Sequence, residues 1–196
     1  MVKRAMDLAL GGLALIVTSP LLAAGAVSVL LDGGRPVIHR RRVVGLHGRE
    51  FDAFKLRTMR VDADRWMAEH PEFQAEYSLR TKLDRDPRVT RAGRLLRRLS
   101  IDELPQLLNV LKGEMSLVGP RMIHPSELSR FGEFGAERLS VRPGITGLWQ
   151  VSGRQSLPPE ARIELDRRYI ERRSLMLDLA ILARTVPAVL SGRGAH

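Results

Sequence analysis

The stretch Leu8–Leu31, LALGGLALIVTSPLLAAGAVSVLL, decides the architecture. Its 24 residues carry no charge, and a helix of that length crosses a hydrocarbon core of about 30 Å. Its middle holds Ser19-Pro20. Pro20 has no N–H for the carbonyl of Ile16, and its ring crowds that turn. The run therefore reads as two short helices, each roughly 16–18 Å long at about 1.5 Å per residue. Ser19 can bond locally to the freed backbone, which lipid would otherwise penalise. Both flanks are basic, with Lys3 and Arg4 before the run and Arg35, Arg40, Arg41 and Arg42 after it. Basic flanks prefer the cytoplasmic side, and a helix–break–helix hairpin that enters and leaves by one face satisfies both. A kinked single span and a signal peptide share this composition. The length of the run and Asp7 at its start count against the signal peptide. The expectation is a re-entrant membrane hairpin over residues 1–34, broken at Ser19 and Pro20, followed by one cytoplasmic domain over residues 35–196.

The composition supports one packed domain beside that element, with 196 residues of which 44% are hydrophobic. Net charge is +10, and Lys3, Lys55, Lys82 and Lys112 are the only lysines, so the excess is arginine. Arginine suits bidentate phosphate binding. A basic balance points to nucleic acid, anionic lipid or phosphorylated small molecules. Aromatics are 5% of the chain, which argues against base stacking, and no nucleic-acid-binding motif is present, so no nucleic-acid partner is expected. The absence of cysteine excludes disulfides and thiolate metal sites. The histidines, His39, His47, His70, His124 and His196, have no metal-ligand spacing.

Outward from the apolar run, Val37–Val44 and Phe51–Leu56 read as strands around a Gly45–Gly48 turn. Val61–Leu79 reads as one helix, Asp84–Pro87 as a loop, and Thr90–Leu99 as a basic amphipathic helix with Leu95, Leu96 and Leu99 opposite its arginines. Leu104–Leu111 is helical, with Lys112-Gly113 as its C-cap signal. A short helix falls within Pro125–Leu139, a Gly-rich loop spans Arg142–Arg154, and Leu157–Arg172 and Leu175–Leu190 are helical. The last is apolar enough to lie at a membrane surface. The fold class is α+β, mostly helical, with a short β-hairpin and membrane-surface amphipathic helices.

Ser100-Ile101-Asp102-Glu103-Leu104-Pro105-Gln106 sets two adjacent carboxylates at a helix start among basic residues. Ser100 and Glu103 have capping-box spacing. The same geometry serves chemistry. The partial positive charge of a helix N-terminus keeps carboxylates ionised, so Asp102 is a candidate nucleophile for phosphorus and Glu103 a candidate ligand for Mg²⁺.

The block from Ser100 through Asn109 and Gly113 to Gly119-Pro120-Arg121 closely resembles the signature of the bacterial sugar transferase family, the monotopic polyprenyl-phosphate phosphoglycosyl transferases. Arg142–Arg154, Phe54–Met59, the Ser19-Pro20 break and Tyr169–Thr185 resemble further blocks of that family. The chain departs from the family at Met122, where proline is usual, and at Val43, where arginine is usual. The resemblance implies transfer of a sugar-1-phosphate from a UDP-sugar to polyprenyl (undecaprenyl) phosphate, starting a lipid-linked glycan or exopolysaccharide. Asp102 would attack the sugar-side phosphate, release UMP and carry a covalent phosphosugar. Glu103 would hold Mg²⁺, and Lys55, Arg57, Arg97 and Arg121 would neutralise phosphate charge, as phosphoryl transfer requires. Arg142 and Arg154 are further candidates for substrate contact. The implied location is monotopic, on the cytoplasmic face of the bacterial inner membrane, with membrane lipids as partners. The block around Trp149 resembles members that start exopolysaccharides on glucose or galactose. The sequence leaves oligomeric state, including a homodimer, open.

Overall fold

The computed structural model describes residues 1–80, 83 and 86–190. Helix α1 spans Val2–Gly33 as one uninterrupted helix with Pro20 inside it, about 48 Å at 1.5 Å per residue. The break expected at Ser19-Pro20 is therefore absent. The carbonyl that Pro20 frees, that of Ile16, accepts from Ser19 Oγ at 2.8 Å. A single buried stripe runs along both sides of Pro20. Asp7, Gly11, Gly25 and Val29 are buried, and Ala14, Leu15, Thr18, Leu22 and Gly33 are half-buried. These positions recur every three or four residues in one phase across Pro20, so a single face lies against the domain. The opposite face is apolar and open, with Leu13, Val17 and Leu21 exposed and Ile16 72% exposed. By length and composition α1 can cross a membrane.

Strands β1 (Ile38–Val44) and β2 (Glu50–Leu56) form the expected antiparallel hairpin, with His39 opposite Lys55. The helix expected over Val61–Leu79 is two, α2 (Ala63–Ala68) and α3 (Pro71–Arg80). Pro71 opens the second, because its missing N–H is harmless at a helix start and harmful inside one. Asp84 and Arg85, in the expected loop, lie outside the described residues. Helix α4 (Arg91–Arg98) starts at an N-cap where Thr90 Oγ1 accepts from Gly93 N at 3.0 Å. Only Leu96 of its leucines is buried; Leu95 and Leu99 face outward among the arginines. Helix α5 (Gln106–Lys112) ends at Gly113 in the left-handed conformation, as its C-cap signal predicted.

A second, parallel pair lies outside the sequence expectation: β3 (Ser116–Val118) beside β4 (Gly144–Thr146). Between them run a 3-10 helix, Pro125–Phe131, and α6 (Phe134–Arg138). After β4 come α7 (Leu148–Val151), α8 (Pro159–Arg172) and α9 (Leu175–Leu190).

Two apolar clusters build the interior. The larger packs Val43, Phe51, Val110, Met115, Val118, Tyr169 and Ile181. The smaller packs Val29 of α1, Leu56 of β2, Leu96 of α4 and Ile101. Each fully buried side chain of this kind contributes about 1.5–3 kcal/mol. The smaller cluster therefore locks α1, β2 and α4 around the residue that precedes Asp102.

Candidate active site

Asp102 and Glu103 lie in a single 3-10 turn, Ile101–Glu103, reached through Ser100 at φ 56°. That left-handed conformation is costly for a residue with a Cβ. It turns the chain out of α4 and sets Asp102 inward, 4% exposed. The capping box expected of Ser100 and Glu103 does not form. A capping serine needs extended backbone to reach the next turn's N–H, and Ser100 makes no cap bond. Its Oγ accepts instead from Arg154 Nη2 at 3.2 Å.

β2 and α5 fix the partners. Asn109, fully buried, accepts from Phe54 N at 3.0 Å and donates to the Asp52 carbonyl at 2.9 Å. This clamp sets Lys55, next along β2, against the acidic turn, with Nζ 3.2 Å from Asp102 Oδ2. Arg121 Nη2 lies 2.5 Å from Glu103 Oε1, and its Nη1 lies 3.5 Å from Oε2. Arg121 is held in turn by Arg138, which donates to the Arg121 carbonyl and pairs with Asp166. Met122 and Val43, the two departures from the family pattern, are buried in the core, and neither displaces Arg121 from Glu103.

Burial pushes the Asp102 carboxyl above the usual carboxylate range; the Lys55 ammonium opposes this and the Glu103 charge adds to it. Burial also pushes Glu103 up, but the Arg121 guanidinium outweighs it and holds that carboxyl below its usual range. The two neighbours are thus driven apart, Asp102 upward and Glu103 downward.

The cationic partners open onto a cleft of about 810 Å³, lined among others by Lys55, Arg57, Arg97, Arg121, Arg41 and Arg130, with Asp64 and Glu127 as its acids. Arg97 donates to Thr58 Oγ1 at 2.9 Å. The close approach behind this contact needs glycine, because a Cβ on Gly93 would sit 2.1 Å from the Thr58 carbonyl oxygen. The structure thus gathers Lys55, Arg57, Arg97 and Arg121 on one cleft, with Arg154 tied to the turn beside Asp102. Arg142 is elsewhere: its Nε donates to the Gly113 carbonyl at 2.8 Å, at the end of α5. Arg57 spends Nη2 on the carbonyls of Gly33 and Gly34, closing the end of α1. Thr58 and Arg130 join the cleft without having been singled out in the sequence, together with Arg41, named there as a basic flank of the apolar run, and His124, named only for its lack of metal-ligand spacing.

Among the described residues no cluster of three or more histidine or acidic side chains could hold a metal ion. Both oxygens of Glu103 face Arg121. A Mg²⁺ held by Glu103 would have to share that carboxylate with Arg121.

A buried carboxylate pair thus sits between Lys55 and Arg121, which line a basic cleft, on a domain that carries a long apolar helix. The chain belongs to the bacterial sugar transferase family, whose sequence profile matches residues 1–192. It is similar to an uncharacterized sugar transferase of Haemophilus influenzae, 45% identical over 99% of this chain and 42% of that one. It is similar to the exopolysaccharide production protein ExoY of Sinorhizobium fredii, 41% identical over 99% of this chain and 88% of that one. It is also similar to the undecaprenyl-phosphate galactose phosphotransferase of Salmonella typhimurium, 42% identical over 99% of this chain and 41% of that one. The chain thus spans less than half the length of two of these relatives.

Proposed function

We propose that this protein is a membrane-bound phosphoglycosyl transferase that moves a hexose-1-phosphate from a UDP-sugar to polyprenyl phosphate, in two steps through Asp102. The observation that carries this is the buried Asp102 carboxylate, made more basic by burial and held 3.2 Å from Lys55 beside the cationic cleft. In the first step Asp102 Oδ bonds to the sugar-bearing phosphorus and the bridging P–O bond breaks. The electron pair leaves on UMP. In the second, an oxygen of polyprenyl phosphate attacks the same phosphorus and Asp102 is released as carboxylate. Arg97 and Lys55 face the charge carried by the phosphates, and Arg121 keeps Glu103 ionised beside them. Mg²⁺ bound to the diphosphate, with Glu103 as its protein ligand, would neutralise further charge. The relative from Salmonella typhimurium is named for galactose, and glucose and galactose are the first sugars to try.

The open apolar face of α1 supports membrane residence, and the basic flanks support placing the catalytic domain on the cytoplasmic side. The test is intact-mass spectrometry of the full chain in detergent with UDP-galactose or UDP-glucose. The wild type should gain one hexose phosphate and release UMP, and Asp102→Asn should do neither. An adduct on Asp102→Asn would sink the reading.

A further inference from the structure

Among the described residues three non-glycine residues hold a positive φ: His47, Ser100 and Arg154. Such a conformation is costly for a residue with a Cβ and persists only where the surroundings impose it. Two of the three are bonded to each other, because Arg154 Nη2 donates to Ser100 Oγ at 3.2 Å. The other terminal nitrogen, Nη1, donates to the Ala188 carbonyl of α9 at 3.2 Å. That part of α9 is fixed to β4 by Thr185 Oγ1, 2.8 Å from Thr146 Oγ1. Both prongs of the guanidinium are thus committed inside the protein. The basic cleft is lined by Lys55, Arg57, Arg97 and Arg121, and Arg154 is not among its described lining residues.

Ser100 stands where the chain leaves α4 and enters the Ile101–Glu103 turn, so the whole turn moves with its φ and ψ. Its N–H bond to the Arg97 carbonyl, 3.0 Å long, is fixed by the residues before it and does not select φ. The side chain does. Rotation about N–Cα swings Cβ together with the carbonyl carbon, so a bond that holds Oγ also holds φ. Right-handed values at Ser100 would continue the spiral of α4 and carry Asp102 away from Lys55, whose Nζ lies 3.2 Å from Oδ2. We propose that Arg154 is a positioning residue: it holds Ser100 in the left-handed conformation, thereby aims Asp102, and does not bind the substrate phosphates. The assignment rests on the two-step transfer through Asp102 described above. Misplacing a reacting group by about 1 Å costs on the order of a hundredfold in rate, and the Arg154–Ser100 bond guards against that loss from outside the cleft.

The test follows adduct formation on the detergent-purified full chain by time-resolved intact-mass spectrometry, at rising concentrations of UDP-galactose or UDP-glucose. Ser100→Ala removes the acceptor and Arg154→Met the donor. Each should lower the limiting rate about ten- to a hundredfold and leave the half-saturating concentration within about twofold. The two together should be no slower than Arg154→Met alone, because both remove one contact. Ser100→Gly should be faster than Ser100→Ala, since glycine holds a positive φ without the cost of a Cβ, and it should rescue Arg154→Met in the double variant. Losses that multiply, or a Ser100→Gly no faster than Ser100→Ala, overturn the assignment. A raised half-saturating concentration for Arg154→Met at an unchanged limiting rate overturns it too and makes Arg154 a phosphate ligand. Should Arg154→Met fold poorly, the comparison of Ser100→Gly with Ser100→Ala, which keeps Arg154, decides alone. Equal rates in every form overturn the positioning role and leave the transfer standing. No adduct on wild type from either sugar overturns the transfer, and this assignment with it.

Discussion

Replacing Arg138 with methionine should damage this fold more than almost any surface change. Arg138 and Asp166 form an ion pair with side chains 5% and 4% exposed, and Arg138 also supports the Arg121 carbonyl and packs 4.5 Å over Phe131. The substitution leaves a buried carboxylate alone, with one of its oxygens already unpaired. Removing one partner of a buried pair costs about 3–5 kcal/mol. For a chain of this size each kcal/mol moves the unfolding midpoint by about 2–4 °C, so the loss is roughly 6–20 °C. The pH dependence has a definite sign. Burial already raises the Asp166 carboxyl, with Arg138 opposing, and removing Arg138 raises it further. A folded-state value above the unfolded one favours the folded state at low pH and loses that advantage as pH rises through it. The deficit of Arg138→Met should therefore shrink in mildly acidic buffer and be largest at pH 8. The double variant Arg138→Met/Asp166→Leu should recover most of the loss, because two apolar side chains replace the pair without stranding a charge. Thermal unfolding in detergent at two pH values measures all of this. A single variant as stable as wild type at pH 8, or a double variant less stable than the single, refutes the reasoning.

In the proposed transfer Asp102 attacks as a carboxylate, and its carboxyl is raised by burial with Lys55 opposing. Transfer should thus fail on acidification at a pH above the value of about 3.9 for a free aspartate. Lys55→Met should move that limb higher still, and an unmoved limb in the rate profile contradicts the assignment. Gly93→Ala drives a Cβ into the Thr58 carbonyl, so a loss of about 1–3 kcal/mol or more is expected in the unfolding midpoint, together with activity; a silent substitution would show that α4 does not need this approach. Chelation by EDTA should suppress sugar transfer and leave the unfolding midpoint where it was, if the proposed Mg²⁺ binds together with the substrate phosphates. A fall in the midpoint would point to a resident metal. Ser19→Ala strips the Ile16 carbonyl of its donor at about 1 kcal/mol, and adding Pro20→Leu should restore it by supplying an N–H. A double variant no more stable than Ser19→Ala would refute that account of the helix interior.

Adjacent carboxylates among arginines marked Asp102 and Glu103 directly, since chemistry and charge sit within a few residues of each other. Lys55 and Arg121 lie 47 residues before and 18 residues after those carboxylates, and no local pattern couples them to the pair; resemblance to a family did. The spacing of Ser100 and Glu103 does not make a cap, because a serine three residues before a glutamate caps a helix only if it is extended. Here it is the left-handed exit from α4. The apolar run was legible as a membrane-length helix, but its continuity was not. Proline removes one hydrogen bond, while one buried stripe runs along both sides of it. Strands of three residues, as in β3 and β4, are too short for a period of two to register. The pairing of Arg138 with Asp166, 28 residues apart, leaves no trace in composition or spacing.

The contact between Lys3 and Asp178 sets an order of events during synthesis. The two residues are 175 positions apart, and ribosomes add about 5–20 residues per second. The N-terminal helix therefore exists for roughly 9–35 s before its last partner has been made. Asp7 lacks its later partners Ser116 and Leu117 until 109 and 110 residues have followed it, and the inner stripe lacks the elements it packs on until β2, α4 and α5 are made. A nascent helix of this kind must be sheltered early, and its Lys3–Asp178 contact closes only once α9 has been made.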